Sequence, residues 1–324
     1  MANICFRLQR NLAHELLADM TFVPFNRAPL LGGEIDNLRD VLERRELHGD
    51  GRYSQRCHEW LKAKVGVADA LLTQSGTAAL EMAAILCDLA PDDEVIMPSF
   101  TFVSTANAVV LRGAVPVFVD IRSDSLNLDE KLVEAAITPK TKAIFAVHYA
   151  GVPCEMDTIN EIARHHRLLV VEDAAQALLS RYRGRPAGAL GDLACFSFHD
   201  SKNIVSGEGG ALVTTRANLV ERAHIIWEKG TNRRAFQRGE VDKYTWVDIG
   251  SSFLPSELSA ACLSAQLDHA EEITHDRLET WRLYHDAFSG LESGNAQICR
   301  PKIPADVVHN GHLYYLLLRD RPTR

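Results

Sequence analysis

The sequence predicts an α/β fold, with a mostly parallel β-sheet covered by helices on both faces and a smaller unit after it. Three observations predict it. Short, continuously apolar runs such as LLVVED (168–173) and GALVTT (210–215) recur along the chain, as strands buried on both faces should. Stretches of helical periodicity separate them, which gives the βα alternation of parallel sheets. The 324 residues are 46% hydrophobic and 24% charged, a composition that supports one large core and an appendage.

Each element has its own signal. Residues 34–46 carry Ile35, Leu38, Val41 and Leu42 at helical spacing among charges, and 56–66 read the same way. A strand at 70–73 runs through a small-residue turn into an Ala-rich helix. DEVIMPS (93–99) is a strand and turn, and 105–113 a helix ended by Gly113. PVFVDI (116–121) and KAIFAVHYAG (142–151) are strands, and 157–166 is a helix capped by Asp157. LLVVED, ACFSFH (194–199) and GALVTT complete the set of strands. A helix at 218–228 precedes a long polar loop, 229–256, rich in Arg233, Arg234, Arg238 and Lys243. Residues 255–288 read as two or more helices, and LYYLLLRD (313–320) as a strand. In such a fold a ligand belongs at the C-terminal ends of the strands.

Composition excludes several function classes. The net charge is -8, against the clustered basic surface of a nucleic-acid binder. No apolar run reaches the ~18 residues that span a membrane, and the N-terminus lacks the apolar centre of a secretory signal. Seven scattered cysteines without a CxxC pair argue for reduced thiols and against a metal site. The expectation is a cytoplasmic protein with no membrane, nucleic-acid or metal partner.

Four constellations carry chemistry. Asp173 ends a buried strand, where a carboxylate is costly unless paired; a structural Asp fits as well. Lys202 lies just past the apolar run ending in Ser197, and a lysine with a lowered pKa is what Schiff-base chemistry needs; a surface lysine fits the same pattern. Gly207, Gly209 and Gly210 form either a tight turn or a loop that approaches a cofactor. Gly76, Thr77 and Ala78 sit where a strand meets a helix N-terminus, a place for a phosphate, although Thr77 also suits a helix cap.

In order, these pieces resemble one family. The stretches PSFTFVSTANA, VHYAGVPCEMD, VVEDAAQ, SFHDSKN and GEGGALVTT together are similar to the DegT/DnrJ/EryC1/StrS sugar-nucleotide aminotransferases. HGDGRYSQRC, EKGTNR and VDKYTWVDIGSSFL are similar to the dTDP-4-amino-4,6-dideoxygalactose transaminases within it. The resemblance runs from about Phe22 to the C-terminus. It implies the type I, aspartate-aminotransferase-like fold of pyridoxal-phosphate enzymes, with a seven-stranded sheet in the large domain. The implied division is an extension at 1–20, a large domain at 21–255 and a small α+β domain at 256–324.

The resemblance also implies roles. Lys202 would hold pyridoxal 5'-phosphate (PLP) as a Schiff base and then shuttle a proton. Asp173 would pair with the pyridinium nitrogen, and Gln176 would meet the ring's hydroxyl face. Thr77, Ala78 and Ser197 would hold the phosphate, and Phe102 would stack on the ring. The implied reaction takes the amino group of L-glutamate to a dTDP-linked 4-keto-6-deoxy sugar, in a homodimer. The lysine at 202 favours transamination over the dehydration run by relatives with histidine there. His148 and His199 read as structural.

Three features depart from the family pattern. Residues 1–19 precede its usual start, which Met20 resembles. Ser252, Phe253 and Leu254 replace an Asn–Tyr–Arg stretch, as in the galactose-type subgroup. The chain ends early, so the small domain reads as incomplete. That raises a rival expectation, a chain that binds PLP without turning over; a plain nucleotide-binding module is the third.

Overall fold

Seven strands build the main sheet of the computed structural model, which describes Pro24, residues 26–294 and residues 298–318. They are β1 (Asp69–Thr73), β2 (Glu94–Pro98), β3 (Val115–Val119), β4 (Thr141–Val147), β5 (Leu169–Asp173), β8 (Leu193–Ser197) and β9 (Gly210–Thr214). Their order is β1-β9-β8-β5-β4-β2-β3. Pairing is parallel from β3 through β8, and only β9 runs against its neighbours β8 and β1. A short antiparallel pair, β6 (Arg181–Tyr182) and β7 (Arg185–Pro186), lies between β5 and β8 in the chain.

The apolar runs are continuous because both sheet faces are buried. Ile96, Ile144 and Val170 belong to one core cluster, with Leu61 and Phe196. Their chain neighbours Val95, Phe145 and Val171 belong to the other, with Met82 and Trp227. Alternate residues of each strand thus serve opposite faces. On one face lie the helices Gly33–Arg44, Arg52–Leu61 and Met156–His166; on the other lie Gly76–Leu86, Val103–Val110 and Val220–Trp227.

Several boundaries differ from the sequence reading, each for a local reason. The helix expected at 157–166 is Met156–His166. Its N-cap position is Glu155, and Asp157 sits in the first turn, where it pairs with Arg183 and Arg185. The second helix starts at Arg52 and ends in a π-turn at Lys62–Gly66. The run 142–151 leaves the sheet at Val147, and Tyr149–Gly151 turns away with Gly151 at φ +79°.

The two helices expected within 255–288 are Glu257–Asp268 and Ala270–Ala287. The first puts Ala260, Ala261, Leu263 and Leu267 into the same core as Val41, Tyr53 and Cys57, so it is built into the large unit. Beyond the second, β10 (Ile298–Cys299) pairs with β12 (Leu317–Leu318), and β11 (Val307–Val308) joins β6. The strand expected at 313–320 is therefore confined, among the described residues, to Leu317–Leu318. The expected extension at 1–20 lies outside the described residues. The six described cysteines are free, and no cluster of metal-ligating side chains occurs among the described residues. No described helix is long and apolar enough to cross a membrane.

Candidate active site

A cavity of about 1290 Å³ opens at the C-terminal ends of β4, β5 and β8. Val147, Asp173 and Ser197, the last residues of those strands, all line it. Opposite them lie the helix Ala270–Ala287 and the strap 311–316. The cavity gathers six of the seven residues singled out in the sequence: Thr77, Phe102, Asp173, Gln176, Ser197 and Lys202.

The floor is built by a helix start. Ser75 is the N-cap of the helix Gly76–Leu86, and its Oγ accepts from Ala78 N (3.1 Å). Ala78, the seventh residue, therefore spends its N–H on the cap, and it does not line the cavity. The cap is Ser75 rather than Thr77, whose hydroxyl meets Ser104 Oγ (2.7 Å). The N–H groups of Gly76 and Thr77 have no acceptor among the described residues. They stand at the positive end of an 11-residue helix, which favours an anion.

Two glycines let the strands close around this turn. A Cβ on Gly76 would stand 2.8 Å from Ser197 Cβ, and one on Gly210 would be 2.5 Å from Gly76 N and overlap Ser75 C and O. Gly210 is thus the glycine of the GEGG stretch that the site requires. Ser75–Thr77 and Ser197 line the cavity together, with Gly210 packed against the turn, and form a polar cradle that suits a phosphate.

Asp173 is buried and accepts from Thr105 Oγ1 (2.7 Å) and Ala175 N (3.2 Å). Thr105 in turn meets Thr101 Oγ1 (2.8 Å). These bonds fix a carboxylate aimed at the cavity, where it can hold a protonated ring nitrogen. Lys202 is half-buried and lines the cavity, and no described residue pairs with its Nζ. Burial lowers its pKa from the ordinary lysine value, against a smaller upward pull from Asp173. A larger share of free amine is thereby available as nucleophile and base.

Gln176 uses its Oε1 to accept from Ala150 N (2.6 Å), which orients the side chain along the wall. Phe102, 71% exposed, stands at the mouth. His148 is buried and does not line the cavity. Its Nδ1 accepts from Cys154 N (3.2 Å), so Nε2–H donates to Glu172 Oε2 (2.8 Å). Glu172 also accepts from the N–H groups of Gly188, Leu190 and Gly191. His199 lines the cavity but is engaged with Ser201.

The loop 229–256 does not deliver its charge to this cavity. Arg233 pairs with Glu228, Arg234 with Asp50, and Arg238 with Glu221 and Glu240. None of its residues lines the cavity.

Sequence reasoning missed Ser75, Thr105, Asn203, Asn310, His312 and Arg277. Ser75 was findable, as a favoured cap residue before an Ala-rich helix. Thr105 lies 68 positions from its partner Asp173, and nothing local signals that pairing. Asn203 Nδ2 donates to Asn310 O (2.9 Å), while Asn310 Nδ2 donates to Gln176 O (2.8 Å) and Leu178 O (2.9 Å). These bonds tie the strap to the segments holding Lys202 and Gln176.

A family model, the DegT/DnrJ/EryC1/StrS aminotransferases, matches residues 32–323. The chain belongs to the DegT/DnrJ/EryC1/StrS aminotransferase family. Two relatives are informative. The spore coat polysaccharide biosynthesis protein SpsC of Bacillus subtilis is 34% identical over 304 residues, covering 93% of this chain and 77% of SpsC. The GDP-perosamine synthase of Caulobacter vibrioides is 36% identical over 269 residues, covering 82% of this chain and 70% of that protein. Among solved structures, the PLP form of Spr1654 from Streptococcus pneumoniae superposes with a TM-score of 0.82 at 26% identity, covering 91% of this chain and 78% of that one. As a member of the DegT/DnrJ/EryC1/StrS aminotransferases the protein is an enzyme, and its cofactor is PLP. The cradle, the buried carboxylate and the desolvated lysine fit that cofactor.

Proposed function

We propose that the protein transfers the amino group of L-glutamate to the keto carbon of a dTDP-linked 4-keto-6-deoxy sugar, giving a dTDP-4-amino-4,6-dideoxygalactose. The observation that carries the transamination is Lys202, a desolvated amine in the same cavity as a fixed carboxylate and a helix start with free N–H groups. The sugar rests on the motifs at 48–57 and 241–254. A different nucleotide is the second reading, favoured by the likeness to a GDP-perosamine synthase.

Each residue has a task this geometry supports. Gly76 and Thr77 N–H and the Ser197 hydroxyl hold the phosphate, and Asp173 holds a proton on the ring nitrogen. When bound, PLP supplies an electron-poor ring that takes up the electron pair left at the amino-bearing carbon. Lys202 anchors the cofactor through its Nζ. Freed of the cofactor, the same Nζ would take and return the proton at the amino-bearing substrate carbon. Thr105 keeps the Asp173 carboxylate from turning. We further propose a cytoplasmic homodimer, in which the loop 229–256 serves the partner's site rather than its own.

The test is a two-step assay on the PLP-loaded protein. Bleaching of the visible band by L-glutamate, followed by its return with dTDP-4-keto-6-deoxyglucose, is the expected result. Return with a GDP-linked keto sugar alone would overturn the dTDP assignment. No bleaching by any amino donor would overturn transamination.

A further inference from the structure

One wall of the cavity has no task in the chemistry above. It is the face of the helix Ala270–Ala287 that carries Arg277, Trp281 and Tyr284, continued by Phe288 and covered by Tyr314 of the strap. Arg277 is fixed there. Its Nη2 donates to His312 O (2.9 Å), and a Cβ on Gly311, at φ +63°, would stand 3.0 Å from Arg277 C and O. The strap is therefore pressed onto the helix at this arginine.

Arg277 nevertheless lacks an anionic partner among the described residues, and its Nε is buried with no acceptor. Burial pushes its pKa below the ordinary arginine value, only partly offset by Asp276. A guanidinium is always charged, so a desolvated one needs an anion. His312, which holds Arg277 through its carbonyl, meets Asn203 Oδ1 through its Nδ1 (2.9 Å), and Asn203 follows Lys202 in the chain. Arg277 is thus at the cofactor end of the wall.

The other end is aromatic. Tyr284 stacks on Tyr314 at 5.8 Å and on Phe288 at 6.0 Å, and Trp281 meets Tyr314 at 5.3 Å. Tyr284 remains 45% exposed, leaving ring surface for another flat group. Arg277 and Tyr284 are seven residues apart, two helical turns or about 10 Å.

Cofactor lysine, half-buried arginine and aromatic stack thus follow one another along the wall. Sugar, diphosphate and nucleobase follow one another in the same order. Resting on the reading that the acceptor is nucleotide-linked, we infer that Arg277 holds the diphosphate of the acceptor and that the Tyr284 stack receives its nucleobase. A planar guanidinium matches phosphate oxygens two at a time, and bases stack on such rings without needing a base-specific contact.

The test is equilibrium binding of dTDP, thymidine and inorganic pyrophosphate to the PLP-loaded protein, followed by calorimetry. Arg277→Gln is expected to weaken dTDP about 10- to 100-fold, as loss of bonds to a charged group should, with thymidine changed less than twofold. Arg277→Lys, which keeps the charge without the fork, is expected to fall between. Tyr284→Ala is expected to weaken dTDP and thymidine but not pyrophosphate. The intact visible band of each variant shows that it is folded and loaded. Unchanged dTDP binding in Arg277→Gln would overturn the inference. So would slower bleaching by L-glutamate in that variant with dTDP binding intact, which would give Arg277 to the donor's carboxylate. Arg277-dependent binding of GDP in place of dTDP would uphold the inference while correcting the nucleotide. Failure of the wild type to bind any nucleoside diphosphate, with bleaching by L-glutamate preserved, would overturn the inference and leave the aminotransferase reading standing.

Discussion

Gly210→Ala tests whether the cradle is as tight as its packing indicates. The new Cβ would sit 2.5 Å from Gly76 N and closer still to Ser75 C and O. Side-chain Cβ atoms keep at least 3.0 Å from such atoms, so β9 or the turn must retreat by roughly half an ångström. Both are backbone, and both are held by neighbours: β9 by β1 and β8, the turn by the Ser75 cap. Neither can swing aside as a side chain can. Overpacking of a core costs typically ~1–3 kcal/mol, and backbone against backbone puts this site near the upper value. At 2–4 °C per kcal/mol the melting temperature of the cofactor-free protein should fall by about 6 °C or more. The displaced turn carries the Gly76 and Thr77 N–H groups, so PLP affinity should fall about tenfold, the worth of one weakened charge-assisted bond. Gly209→Ala is the control. Its Cβ meets chiefly Ser206 Oγ, a hydroxyl that can rotate away, and it should cost under about 1 kcal/mol. Thermal unfolding and a PLP titration of both variants decide the matter. Equal losses in the two, or an unaffected Gly210→Ala, would refute the argument.

Buried groups give three more tests. Glu172→Gln sets an amide N–H₂ against donors now satisfied by carboxylate oxygens, His148 among them. It should destabilise the protein by about 3 kcal/mol in urea unfolding while leaving the position of the PLP band unchanged. Asn310→Ala strands the carbonyls of Gln176 and Leu178, at a cost of about 2–3 kcal/mol, and amide exchange in the strap 309–316 should accelerate; an unaltered exchange rate would contradict the clamp. Lys202→Met should stabilise the cofactor-free protein. Burial lowers the folded pKa of Lys202, so the unfolded chain binds the proton more tightly. The penalty is then full below the folded pKa and fades as pH rises toward the ordinary lysine value. The gain should be larger at pH 7 than near pH 10, and a pH-independent gain would contradict it.

The sheet was legible because its signal is local. Val95–Ile96, Ile144–Phe145 and Val170–Val171 are apolar pairs that feed opposite cores, and a strand covered on both faces needs such a pair at every step. Asp173 and Ser197 could be placed at strand ends for the same reason, with Lys202 five residues past the second, whereas their roles came only from the family resemblance. Boundaries were read less well where tertiary contacts choose them. Asp157 would serve as a cap in isolation, but Arg183 and Arg185 claim its carboxylate. The helix Glu257–Asp268 looks like the start of a second unit, yet its alanines pack between the helices at 33–44 and 52–61. Arg233, Arg234 and Arg238 in 229–256 pair with acids of the same chain, partners that their spacing does not name. Thr105 on Asp173, and Asn310 on the Gln176 carbonyl, are partnerships across long stretches of chain. No periodicity or spacing in one sequence encodes them.

The central claim is that Lys202 and Asp173 form a working PLP site, and the visible spectrum tests it most directly. The purified chain is mixed with PLP and measured before and after L-glutamate, beside Lys202→Ala. The account predicts a Schiff-base band in the wild type that L-glutamate bleaches, and no such band in the variant. An identical band in Lys202→Ala, or none in the folded wild type, would contradict it.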